Sequence, residues 1–237
     1  MASKGKAQRG NPSRKWGRPF GRSTVEARLI AGERGMGLPI GVLASGRGSN
    51  LEAILRAWEA GELPVELKMV ISDKKEARAL RIAAEHGVPA EFLDPKAFPD
   101  RVSYDLALAA RLKAAGVELV VLAGYMRILS QAFLEQFPLQ VINIHPALLP
   151  AFPGLGAQKQ AWEYGVKITG CTVHFVDAGV DTGPIIAQAA VAVEDDDTPE
   201  TLAERILEQE HRLLPEVIRW IAQGRVRVRG RRVYIQK

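Results

Sequence analysis

From residue 38 onward, short apolar runs alternate with stretches whose apolar residues recur at helical spacing. Pro39–Ala44, Val65–Ile71, Ala90–Leu93, Leu119–Ala123 and Val141–Ile144 read as strands. Between them, residues 50–60, 74–86, 100–115 and 130–137 read as helices, with Gly87, Pro89 and Gly116 punctuating their ends. Strands that alternate with helices pair in parallel, because each crossover helix packs back onto the sheet. The expected fold class is therefore α/β: a Rossmann-like, mostly parallel twisted sheet with helices on both faces. The pattern changes after residue 150. Gly170–Val176 and Ile185–Val193 read as strands flanking a Gly-rich turn. Residues 200–222 read as one long helix entered through Asp197, Thr198 and Pro199, and 225–228 with 232–235 as a hairpin around Gly230.

Charge is unevenly placed along the 237 residues, whose formal net charge is +5. Residues 1–36 carry +7 and residues 224–237 carry +6, so the body between them carries −8. Nucleic-acid binding would rest on the ends alone, without aromatic or motif context, and is not expected. The N-terminal segment lacks the apolar core of a secretory signal. It reads as a tail that is expected to be disordered, with a polyanion tether and a targeting segment as its other readings. No apolar stretch approaches the ~20 residues of a membrane span, so no membrane contact is expected. Cys171, the one cysteine, excludes an internal disulfide framework and points to a cytoplasmic protein. It reads as a buried small residue. His86, His145, His174 and His211 show no ligand spacing, so no metal is expected.

Four segments carry candidate chemistry. Ser45-Gly-Arg-Gly-Ser-Asn50 joins the first strand to its helix. Glycines permit a tight turn there, and the N–H groups at a helix start favour an anion. It is neither the dinucleotide fingerprint nor a Walker loop. It reads as a phosphate-monoester loop with Ser49 and Asn50 adding hydrogen bonds, or as a plain turn with Asn50 as a cap. Asn143-Ile-His145-Pro146 ends a strand, and period-2 alternation puts Asn143 and His145 on one face. An amide suits a developing oxyanion and an imidazole suits proton transfer near neutrality. Asp177-Ala-Gly-Val-Asp181-Thr-Gly-Pro184 is either turn chemistry or, if Asp181 approaches His145, a carboxylate that raises the histidine pKa. Gly124-Tyr-Met-Arg-Ile-Leu129 is either a packed connection or the lining of a flat pocket. Asp195–Asp197 reads as a solvated cap.

Taken in order, Ser-Gly-Arg-Gly-Ser-Asn, Leu-Ala-Gly-Tyr-Met-Arg-Ile-Leu, Asn-Ile-His-Pro-Ala-Leu-Leu-Pro and Val-Asp-Thr-Gly-Pro-Ile-Ile closely resemble the phosphoribosylglycinamide formyltransferase family over about residues 38–223. The resemblance implies a single formyltransferase domain over 37–237, with a phosphate-binding half at about 38–140 and a folate and catalytic half at about 141–237. It implies transfer of a formyl group from 10-formyltetrahydrofolate, as co-substrate, to the amine of glycinamide ribonucleotide in purine synthesis. It leaves a homodimer open. Carried over residue by residue, Gly48, Ser49 and Asn50 match the phosphate loop, and Glu210 matches a carboxylate that holds the glycinamide end. Asn143 and His145 match the catalytic pair, with Asp181 as the carboxylate that raises the histidine pKa. Met126, Arg127, Ile128 and Leu129 match the pterin segment, Asp177, Ala178, Gly179, Val180 and Asp181 the loop that closes on it, and Arg101 a residue that meets the folate tail. Gly156 departs from the histidine that many members carry, and the basic extension is outside the usual pattern. Two alternatives stand beside this expectation: a formyltetrahydrofolate hydrolase and a polyanion-binding protein acting through its basic tails.

Overall fold

The computed structural model describes residues 27–28 and 37–236. Seven strands form the central sheet: β2 (Leu38–Leu43), β3 (Val65–Ser72), β4 (Ala90–Phe92), β5 (Leu119–Leu122), β6 (Val141–His145), β7 (Ile168–Phe175) and β8 (Ile185–Ala192). Their spatial order is β4-β3-β2-β5-β6-β7-β8. The first five are parallel, whereas β7 and β8 run antiparallel to their neighbours. The chain thus builds outward from β2 to β4, then returns to place β5 against the other side of β2. That reversal opens a crevice at the carboxyl ends of β2 and β5, where ligands of open α/β sheets bind.

Alternation along the strands distributes the core. Leu38, Ile40 and Val42 of β2 and Leu119 and Val121 of β5 face one layer. That layer is covered by α1 (Ser49–Glu59), α2 (Arg78–Glu85) and α6 (Pro199–Ala222). Leu43, Val120 and Leu122 face the other layer, against α3 (Arg101–Ala114) and α4 (Gln131–Leu134). In β6, Ile142 and Ile144 belong to the first layer and Val141 to the second. Asn143 and His145 therefore extend the second face past the end of its apolar core.

The sequence expectations differ from the structure in four places. A helix, α5 (Ala157–Tyr164), occupies a stretch with no helical signal; only Ala157 and Ala161 of it are buried. The second helix begins at Arg78 rather than near 74. Asp197 is not a solvated cap: Thr198 caps α6, and Asp197 is buried in a two-pronged pair with Arg205 at 2.7 and 2.8 Å. Hydrogen bonds from Arg205 hold the Asp197 carboxyl at a pKa of about 2. Finally, the expected domain begins at residue 37, yet β1 (Ala27–Arg28) pairs antiparallel with β9 (Val226–Arg229). The rest of that segment lies outside the described residues. The expected terminal hairpin is formed by β9 and β10 (Arg232–Ile235). Cys171 is buried, and burial pushes its thiol up to about 12.

Candidate active site

Two clefts meet at the crevice. The first, of about 590 Å³, is lined by the whole 45–50 loop, by Ile144 and Pro146, and by Glu200, Glu204 and Glu210 of α6. Gly48 caps α1 in the left-handed region, φ 76°, and a Cβ there would lie 2.9 Å from Ile82 and 3.0 Å from the Ala79 backbone. Only glycine fits this turn. The first N–H groups of α1 lack intrahelical partners and carry the positive end of its dipole, which suits a phosphate. Asn50, buried, donates from Nδ2 to Glu210 Oε2 at 2.8 Å and leaves its Oδ1 without a partner. Burial pushes the Glu210 carboxyl above its ordinary range, although the Asn50 hydrogen bond and the charge of Arg47 pull it down. A buried carboxylate next to a phosphate loop suits a substrate carrying a phosphate and, at its other end, a polar amine or amide.

The second cleft, of about 400 Å³, lies on the other side of the β6 terminus. Gly124–Leu129, Asn143, His145, His174, Asp177, Gly179–Asp181 and residues 154–156 line it. Its rim carries apolar side chains that are exposed: Met126 (62%), Ile128 (52%), Val180 (46%) and Leu155 (76%). Exposed apolar residues from three separate loops around one polar floor suit a flat aromatic ligand. Ala178 does not line the cleft, and neither does Arg101, which stands exposed at the start of α3. Asp177 lines it, but its carboxylate accepts from Gly179 N and Thr182 Oγ1 and so serves its own turn.

In the second cleft, His145 is held at both ring nitrogens. Nε2 donates to the Phe152 carbonyl at 2.8 Å, and Nδ1 lies 3.3 Å from Asp181 Oδ2. Burial pushes the imidazole below its ordinary pKa, against the upward pull of the Phe152 carbonyl and of Asp181. The resting ring therefore favours its neutral form near pH 7. Burial raises Asp181, but the neighbouring His174, the Gly154 N–H and His145 outweigh it, so its carboxyl is held low. Asp181 itself sits at φ 52°, and a Cβ on the nearby Gly183 would lie 1.7 Å from the Phe175 carbonyl.

His174 is a site residue that the sequence reading assigned no role. Antiparallel register sets it directly opposite Asn143. Its Nδ1 donates to the Phe175 carbonyl, so its Nε2 accepts from Asn143 Nδ2 at 3.3 Å. The amide of Asn143 is thus oriented, with its second N–H available to the cleft. Gln158 and Phe152 were missed as well; the first lines both clefts and the second supplies only a backbone carbonyl.

Residues 38–218 match the family model described as "Formyl transferase". The chain is 48% identical over 190 residues to a phosphoribosylglycinamide formyltransferase of Mycobacterium tuberculosis, covering 80% of this chain and 87% of that protein. It is 46% identical over 207 residues to the trifunctional purine biosynthetic protein adenosine-3 of Drosophila pseudoobscura pseudoobscura, covering 85% of this chain but 15% of that longer protein. A crystal structure of glycinamide ribonucleotide transformylase 1 from Symbiobacterium toebii superposes with a TM-score of 0.85 at 53% identity, covering 89% of this chain and all of that one. A doubly wound sheet with a phosphate-type loop and an Asn/His strand end defines the class, and the chain belongs to the formyl transferase family, among the phosphoribosylglycinamide formyltransferases. Among the described residues no helix is long and apolar enough to cross a membrane.

Proposed function

We propose that the protein transfers the formyl group of 10-formyltetrahydrofolate to the amine of N1-(5-phospho-D-ribosyl)glycinamide, a step of purine synthesis that we place in the cytoplasm. The observation that carries this reading is that Asn143 and His145 line the apolar-rimmed cleft, while their chain neighbours Ile144 and Pro146 border both that cleft and the one formed by the 45–50 loop. The phosphate seats on the 45–50 loop and Glu210 holds the glycinamide end. Met126, Ile128, Leu155 and Val180 grip the pterin of the donor.

The amine attacks the formyl carbon directly, and the carbonyl electron pair moves onto oxygen. Asn143 donates its free N–H to that oxyanion. His145, neutral at rest, takes up at Nδ1, by way of the Asp181 carboxylate, the proton the amine releases and becomes an imidazolium whose two N–H groups point at Asp181 and the Phe152 carbonyl. Burial keeps this charge unfavourable until negative charge develops beside it, which concentrates the stabilisation in the transition state. Collapse then breaks the bond to the donor nitrogen, which takes the proton. The direction of the His145 shift and the acceptors on both its nitrogens support this sequence.

The test is folate absorbance with 10-formyl-5,8-dideazafolate, with and without the ribonucleotide. A spectral change that requires the ribonucleotide is expected. A change without it would make the protein a hydrolase. Silence in both, with salt-sensitive retention on DNA that vanishes on deleting residues 1–36, would favour the polyanion reading.

A further inference from the structure

The 124–130 segment is anchored at its two ends by different parts of the molecule. Its start is tied to the phosphate loop: Ser45 N donates to the Gly124 carbonyl at 3.1 Å, and Met126 N donates to Ser45 Oγ at 2.9 Å. Its far end is tied to α3. Ser130 N donates to Asp105 Oδ2 at 2.6 Å, and Asp105 is wholly buried. The neighbouring Tyr104, also wholly buried, shares a hydroxyl–hydroxyl hydrogen bond of 3.2 Å with Tyr125. The guanidinium of Arg127 lies over the Tyr104 ring, 5.0 Å from its centroid, and Phe98 meets the same ring edge-on at 5.5 Å.

This buried polar group is costly for a region that only needs to fill space. Asp105 Oδ1, Asp73 Oδ1 and Arg127 Nε are all buried without a hydrogen-bond partner. Burial pushes both tyrosine hydroxyls up, and the charges of Asp73 and Asp105 push the same way. An apolar α3 surface would pack the loop more cheaply. What apolar packing would not supply is a fixed backbone position for Ser130 and a fixed plane for Arg127.

We propose that Asp105, with Tyr104, is a positioning residue for the donor: α3 sets the height and orientation of residues 127–129 in the donor cleft, and nothing in the ribonucleotide cleft depends on it. This rests on the reading of that cleft as the folate site. The separation follows from the lining, because residues 127–129 face the donor cleft alone, whereas Gly124 and Met126 border both and are held by Ser45.

The experiment is the full steady-state comparison of Asp105→Ala, Asp105→Asn and Tyr104→Phe with the unsubstituted protein, with melting temperature measured alongside. Asn keeps an oxygen acceptor for Ser130 N, while Ala removes it and leaves a buried N–H unsatisfied. Asp105→Ala is expected to raise KM for the formyl donor about tenfold and leave the ribonucleotide KM within about twofold, with Asp105→Asn restoring most of the loss. Tyr104→Phe keeps the ring under Arg127, loses the bond to Tyr125, and is expected to raise the donor KM about threefold. It reads the same relationship if Asp105→Ala does not fold. A donor KM that is unchanged, or that rises together with the ribonucleotide KM, would overturn the proposal. An unsubstituted protein that shows no donor-dependent reaction would instead remove the folate reading on which it stands.

Discussion

Asp181 Oδ2 lies 3.3 Å from His145 Nδ1, on the side of the ring away from the Phe152 carbonyl that takes the Nε2 hydrogen. Both ring nitrogens face acceptors, an arrangement fully satisfied only by the imidazolium. Burial opposes that state and prevails in the resting protein. The site is thereby prepared for a charge that it does not yet hold.

Asp181→Asn keeps the shape and removes the negative charge. The His145 pKa, already below its ordinary value, then falls further. The acid limb of the kcat–pH profile should move to lower pH, and the plateau should fall roughly tenfold for each unit lost. A limb that stays in place would mean that Asp181 does not act through His145.

Glu210→Gln should separate stability from binding. The native state holds the Glu210 proton more tightly than the unfolded chain, whose ordinary value is 4.5. Stability therefore falls as pH rises from 4.5 through the native pKa. Gln removes that cost, so the melting temperature should rise at pH 7, by about 2–4 °C per kcal/mol recovered. The gain should vanish below pH 4.5. The ribonucleotide KM should rise in the same variant, because the amine end loses its carboxylate.

Gly48→Ala should damage the fold and the phosphate cleft together. The added Cβ meets α2 at 2.9–3.0 Å and the residue stands at φ 76°. Thermal unfolding should show a loss of about 1–3 kcal/mol, and the ribonucleotide KM should rise while the donor KM holds. A variant with unchanged melting temperature would contradict the tight α1–α2 approach.

The inner strands were legible because burial on both faces leaves continuous apolar runs, as in Leu119–Leu122. The 45–50 loop and the Asn143/His145 pair were legible as candidates because their chemistry is local: glycines at a helix start, and two polar side chains at period 2. His174 was not, because its place opposite Asn143 depends on β7 running antiparallel to β6, and no residue spacing encodes that register. The Phe152 contact was hidden because a carbonyl has no side-chain signature. Helix α5 escaped because two buried alanines make no apolar stripe. Asp195–Asp197 looked uniform in composition, yet Arg205, about two helical turns into α6, selects Asp197 alone for burial. Arg101 was placed on the folate by resemblance alone, and it lies at the exposed end of α3 outside the cleft lining.

The most direct test of the central claim is the turnover of Asn143→Ala in the ribonucleotide-dependent absorbance assay, with both substrates saturating. The account predicts that kcat falls about 10²–10³-fold, as for loss of one oxyanion donor, while both KM values and the melting temperature stay near those of the unsubstituted protein. A kcat within a few-fold of that protein would contradict it and would take the oxyanion away from Asn143.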